Sequence, residues 1–179
     1  PRGRVLTRGV PFGMIGDMKT DRRLLAAAFA VLLGCAVSGA YEFKTERDIR
    51  YSDASGKCVL DLKWPAEAKG FATVVNLHGG GLTGGGRHFA PWPEEAKDKD
   101  PVAHVAVQYR LLPTDGSGVV QPADCIADAA ASVAWTLKNI GKYGGDPKKV
   151  FVTGISAGGY LTAMVGLDAR WMAPHGFKP

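Results

Sequence analysis

Residues 42–52 and 57–64 alternate apolar and polar side chains on either side of a Ser-Asp-Ala-Ser-Gly stretch, which predicts an antiparallel strand pair at a sheet edge. Pro65 stops the second strand. The largely apolar run Ala72-Thr73-Val74-Val75-Asn76-Leu77 predicts a buried strand running into the glycine turn His78-Gly79-Gly80-Gly81. Val102 to Tyr109 predicts another buried strand. After Pro122 the period changes: Ile126, Ala129, Ala130, Val133, Leu137 and Ile140 recur at three- and four-residue steps, the spacing of a helix with one apolar face. Gly141 and Gly144-Gly145-Asp146-Pro147 terminate it. Val150 to Thr153 predicts a short buried strand, and Ala157 to Leu167 a helix that starts immediately after it. Strand, helix, strand, helix implies parallel strands joined by crossovers, so the expected class is α/β: a mostly parallel sheet with flanking helices, preceded by the antiparallel edge pair. The glycine-, proline- and charge-rich segment 82–101 is a loop of the length that carries function or moves.

Composition narrows this little, except at the N-terminus. The 179 residues are 46% hydrophobic and 22% charged, as in a folded globular domain, which excludes a disordered tail, a collagen and a disulfide-stapled miniprotein. The net charge of +5 is uneven. Residues 1–40 hold six basic and two acidic side chains, so they carry +4 and the rest of the chain +1. A near-neutral body with interleaved signs is no footprint for a nucleic acid. From Met18 the order is a positive start, an apolar run Leu24–Leu33, and small residues up to Ala40, the pattern of a secretory signal peptide. The uncharged stretch Leu24–Ala40 is shorter than the ~20 residues of a membrane-spanning helix. Two processing routes stay open: cleavage after Ser38-Gly39-Ala40, or lipidation of Cys35, since Leu32-Leu33-Gly34-Cys35 resembles a lipobox. The expected organisation is therefore 1–17 as an upstream leader or misplaced start, 18–40 as a signal peptide and 41–179 as part of one domain, with export to the periplasm or medium and membrane attachment only through Cys35. Cys58 and Cys125 are expected to be buried free thiols.

The chemistry concentrates in two glycine motifs. Gly154-Ile155-Ser156-Ala157-Gly158-Gly159 lies between a buried strand and a helix, where a sharp bend leaves the serine hydroxyl projecting from the sheet. Side chains in place of Gly154 and Gly158 would collide with the strand and helix packed against the bend. The helix start supplies free N–H groups and partial positive charge where an oxyanion would form. His78-Gly79-Gly80-Gly81 ends an earlier parallel strand, and its glycines let the backbone approach closely. The N–H groups of Gly80, Gly81 and Ala157 are thus three candidate oxyanion donors, one such donor contributing ~3 kcal/mol in a transition state. A dinucleotide fingerprint needs glycine where Ser156 stands, and neither Gly79-Gly80-Gly81 nor Gly84-Gly85-Gly86 is followed by the lysine of a phosphate-binding loop.

These residues, with Leu60-Asp61-Leu62, Tyr109-Arg110-Leu111 and Asp128, resemble the α/β-hydrolase superfamily and within it the HGGG esterase/lipase branch. The resemblance implies Ser156 as nucleophile, Gly80, Gly81 and Ala157 as the oxyanion hole, and His78, Gly79, Gly154 and Gly158 as its supports. His78 would brace the loop and not act as base, and Tyr109, Arg110 and Asp128 would be structural. Fewer than 40 residues separate Tyr41 from His78, little room for an N-terminal helical cap, so the resemblance points to an open enzyme similar to acetyl-xylan and feruloyl esterases.

A serine needs a histidine to take its proton and an acid to orient that histidine, and in this fold both follow the serine. Asp168 and His175 have the right order, but Asp168 falls ~18 Å along the helix that starts at the nucleophile, at 1.5 Å rise per residue. Both are expected to be surface loop residues. His88 and His104 precede the serine and are expected to be a loop residue and a structural one, and no spacing suggests a metal site. The chain is therefore expected to be a C-terminally truncated serine esterase without cofactor, acting on a small-molecule or polysaccharide ester, with negligible activity by itself. A peptidase or amidase on the same fold shares every motif, whereas a noncatalytic binding relative, the other alternative, has little reason to keep both the serine and the oxyanion glycines. In the long loop, Phe89 and Trp92 either line the acyl or sugar site or anchor the loop.

Overall fold

The computed structural model describes residues 41–93 and 100–177. The leader, the signal-peptide segment and Cys35 lie outside them. Five strands form one sheet: β1 (Phe43–Arg50), β2 (Val59–Pro65), β3 (Phe71–Leu77), β4 (Val102–Val107) and β5 (Gly145–Gly154), in spatial order β1-β2-β4-β3-β5. β1 pairs antiparallel to β2 and β2 to β4, while β3 runs parallel to both β4 and β5. Helix α1 (Pro122–Asn139) links β4 to β5, and α2 (Ala157–Leu167) follows β5; a short α3 (Ala169–Met172) comes last. This is the α/β-hydrolase arrangement, in which the crossovers bring the C-terminal ends of β3 and β5 side by side.

The core follows the alternation of the strands. Leu60, Leu62, Val75, Leu77, Val105 and Val107 are fully buried and meet Ile126, Ala129, Ala130 and Val133 of α1 and Leu161 of α2. α1 starts with a capping box, in which the Gln121 N–H donates to Asp124 Oδ2 at 2.8 Å, and Pro122 occupies the first turn, where its missing N–H costs nothing. The chain then tightens into a 3₁₀ turn, Ile140–Tyr143, and stops at Gly144, whose φ of +99° suits glycine. Cys58 and Cys125 are buried free thiols, and burial pushes the Cys125 thiol up to about 11.

Four expectations are corrected. The last strand starts at Gly145 and takes in Asp146-Pro147, because a register shift between Phe71 and Thr73 lets β3 accommodate the proline at the sheet's outer side. Nor is that strand buried: β5 is an edge among the described residues, with Phe151 60% and Ile155 71% exposed. β4 ends at Val107, although the Gln108 N–H still donates to Val59 O of β2 at 2.9 Å. Of the N-terminal pair only β1 is an edge; β2 is flanked on both sides.

Candidate active site

Ser156 stands two residues past the end of β5, at the N-cap of α2, with φ +55° and ψ −118°, a conformation that a non-glycine residue holds only when its surroundings over-determine it. They do. A Cβ on Gly158 would sit 1.9 Å from Leu77 O, and one on Gly154 2.4 Å from the Gly158 carbonyl carbon, so strand and helix meet too closely for any side chain. The bend is closed by Gly158 N–H to Ile155 O (2.9 Å) and Tyr160 N–H to Ser156 O (3.0 Å). Ser156 itself is exposed and Ala157 behind it is buried.

The glycine turn after β3 lies against this bend. A Cβ on Gly79 would be 2.9 Å from Ile155 O and 3.5 Å from Ser156 Cβ. Gly80 (φ +113°) and Gly81 (φ +62°) carry the chain through the left-handed region, and Gly80 O accepts from Thr83 and Gly84 N–H at 3.1 and 3.0 Å. Among the described residues the N–H groups of Gly80, Gly81 and Ala157 donate to no protein acceptor. Three unpaired donors therefore stand in two loops that touch at the serine.

His78 is only 1% exposed, and its ring stacks on Tyr109 with centroids 4.3 Å apart. Its Nδ1 lies 2.7 Å from Gly79 O; a carbonyl only accepts, so Nδ1 carries the proton. The other nitrogen, Nε2, is buried without a partner, and burial holds the imidazole pKa below its usual value. Tyr109 OH donates to His78 O at 2.7 Å, and burial, then Cys125, pushes that phenol up to about 12. Arg110 grips the 2%-exposed Asp128 with Nε and Nη2 at 2.8 and 2.7 Å, fixing α1 to the end of β4. These groups bond to one another and to the backbone of the loops, and none of them hydrogen-bonds to Ser156.

The structure does not bring Asp168 and His175 to the serine. Asp168 caps α3, accepting from Arg170 N–H (3.1 Å) and pairing with Arg170 Nη2 (2.6 Å). His175 lies near Tyr51, Trp135 and Lys138, beyond the far end of α2. His88 is an exposed loop residue and His104 a buried one on β4. Trp92 packs edge-on against His104, centroids 5.1 Å apart, an anchor for the loop. It also lines a groove with Phe151, Gly154 and Ile155, whereas Phe89 sits with Phe43 and Lys63 on the other side. No group of three or more His, Cys, Asp or Glu side chains that could hold a metal occurs among the described residues.

Sequence reasoning missed the residues that hold the glycine loop from outside: Asn76, Asp61, Arg87 and Gln108. Nothing local marks them, because their partners lie 12 to 21 residues away or more, and only the sheet order brings them together.

A strand-order 1-2-4-3-5 sheet with a left-handed serine bend at one parallel strand and a glycine turn at its neighbour defines an α/β-hydrolase scaffold. The chain belongs to the BD-FAE family, whose model matches residues 60–172. It is 32% identical over 136 residues to Carboxylesterase NlhH of Mycobacterium tuberculosis, covering 70% of this chain and 38% of that protein. Against Esterase E4 of Myzus persicae it is 34% identical over 89 residues, 48% of this chain and 16% of the relative. Among solved structures, an inhibited Esterase B from Lactobacillus rhamnosis superposes with a TM-score of 0.56 at 25% identity, covering 88% of this chain and 50% of that one. A truncated carbohydrate esterase from gut microbiota shares the fold, with a TM-score of 0.53 at 22% identity over 71% and 44% of the two chains. The chain thus spans half or less of the length of each of these four proteins.

Proposed function

We propose that the protein is a serine hydrolase of carboxylic esters working through an acyl-enzyme on Ser156. The observation that carries this is the meeting of the strained, exposed serine with three unpaired backbone N–H groups. Ser156 Oγ attacks the ester carbonyl, and the developing oxyanion is taken up by Gly80, Gly81 and Ala157 N–H, backbone donors that have no protein acceptor among the described residues. The alcohol leaves, and water releases the acyl group. Among the described residues no histidine bonds to Ser156; in this reading the acid and base are supplied from outside them. The substrate is a carbohydrate-borne or small ester, and the protein is exported, supported by the leader pattern from Met18.

The complete gene product is expected to hydrolyse p-nitrophenyl acetate and acetylated or feruloylated sugars, and to leave matched amides and peptides intact. Ser156→Ala should lower the rate by about 10⁴-fold or more. Faster cleavage of the amide or peptide members of the panel would move the assignment to an amidase or peptidase. Undiminished hydrolysis by the alanine variant would remove the nucleophile altogether.

A further inference from the structure

The oxyanion loop is an unusual object to hold still. Gly80, Gly81, Leu82 and Gly85 all have positive φ, so its backbone sits in conformations with many competitors. Its inner side is packed: a Cβ on Gly85 would lie 2.4 Å from Gly79 O and 2.7 Å from His78 Nδ1. Its outer side is not. There a cavity of about 750 Å³ opens between Arg50, Lys57, Gly85, Arg87, Gln108 and Leu111. Leu82, at the start of the loop, packs against the core and its O accepts from Leu112 N–H at 2.8 Å, whereas residues 85–88 make no backbone–backbone hydrogen bond among the described residues.

What spans that side is a set of side-chain bonds to the end of the loop. Asn76 Nδ2 donates to His88 O at 2.8 Å, and Arg87 N–H donates to Gln108 Oε1 at 3.2 Å. The Arg87 guanidinium bonds Asp61 Oδ2 through Nε at 3.0 Å and pairs with Asp48 through Nη2. Asp61 is a firm anchor: its side chain is 5% exposed, and it also accepts from Arg47 Nη1 (2.9 Å) and from Asp48 N–H (3.0 Å). Asp48 reaches this place because β1 bulges there, with φ +56°. A charge network with one buried member and planar, two-point contacts holds geometry better than an exposed pair.

We infer that Arg87, clamped by Asp61 and Asp48, is a positioning residue for the oxyanion loop: it fixes Gly85, which abuts Gly79, which abuts Ser156. This rests on the esterase reading given above. A displacement of about 1 Å of such donors costs on the order of 10²-fold in rate. In the complete gene product, with rates normalised to sites titrated by a serine-reactive phosphonate, Arg87→Gln is expected to lower kcat at least tenfold while KM stays within twofold. Arg87→Lys, which keeps the charge but not the fork, should fall between the two. Lys57→Ala, on the same cavity wall but outside the clamp, should match wild type. A kcat for Arg87→Gln within threefold of wild type, or an equal fall in Lys57→Ala, would overturn the inference. Hydrogen exchange gives a readout that needs no activity: the amides of residues 80–88 should exchange at least tenfold faster in Arg87→Gln, with the β3 and β4 amides unchanged. If the wild type fails to hydrolyse any ester, the esterase reading falls; unchanged exchange in the loop removes the clamp by itself.

Discussion

The bend at Ser156 and the segment carrying Asp168 and His175 sit at opposite ends of α2, and they are built in opposite ways. At the first end every atom is constrained: two glycines admit no Cβ, the serine holds a strained φ, and a neighbouring strand end delivers donors to it. At the second the carboxylate is satisfied by Arg170 two residues away and the histidine lies among α1 side chains. Strain and unpaired donors mark the Ser156 end, where the proposed chemistry is placed; a carboxylate paired with its near neighbour marks a helix cap. The difference shows that residue type and order do not make a triad. Convergence does.

The comparison breaks most visibly at Gly158. Because its Cβ would overlap Leu77 O, Gly158→Ala should cost about 4 kcal/mol or more and leave little folded protein, checked by denaturant unfolding. Alanine tolerated there with an unchanged midpoint would mean that the bend is not as tight as described. Next, Asp128→Ala removes the two-point partner of Arg110, leaving it Asp124 at 3.2 Å, and should cost about 3 kcal/mol, seen as a lower midpoint with the same m-value.

Much of this was legible in the sequence. The bounds of α1 and α2, the parallel order and both glycine motifs followed from periodicity and from the steric demands of a tight bend, which are local. The exposure of β5 was not, because a run such as Val150–Thr153 looks the same whether a sheet covers it on one side or two. Nor was the clamp on the loop. Asp61 alternates among leucines like any strand carboxylate, and Arg87 stands in a polar loop; their 3.0 Å contact exists only because β2 lies next to β4.

A smaller effect concerns pH. Burial keeps the His78 and His104 pKa values below the 6.5 of a free histidine. The unfolded chain therefore binds more protons as pH falls through about 6.5, so the stability contributed by the neutral rings is present above that value and lost below it. Thermal midpoints should drop between about pH 7.5 and 5.5; a flat or rising profile would contradict the burial of both rings. Smallest of all, Asp168→Asn and His175→Ala should leave ester hydrolysis by the complete gene product within twofold of wild type. A loss of several orders of magnitude in both would make that end of α2 catalytic and undo the contrast.

The most direct test of the central claim is a crystal structure of the complete gene product inhibited by a serine-reactive phosphonate. The account predicts phosphorus bonded to Ser156 Oγ and one phosphoryl oxygen within hydrogen-bonding distance of the N–H groups of Gly80, Gly81 and Ala157. A phosphonate on another residue, or on Ser156 with that oxygen turned away from the three amides, would contradict it.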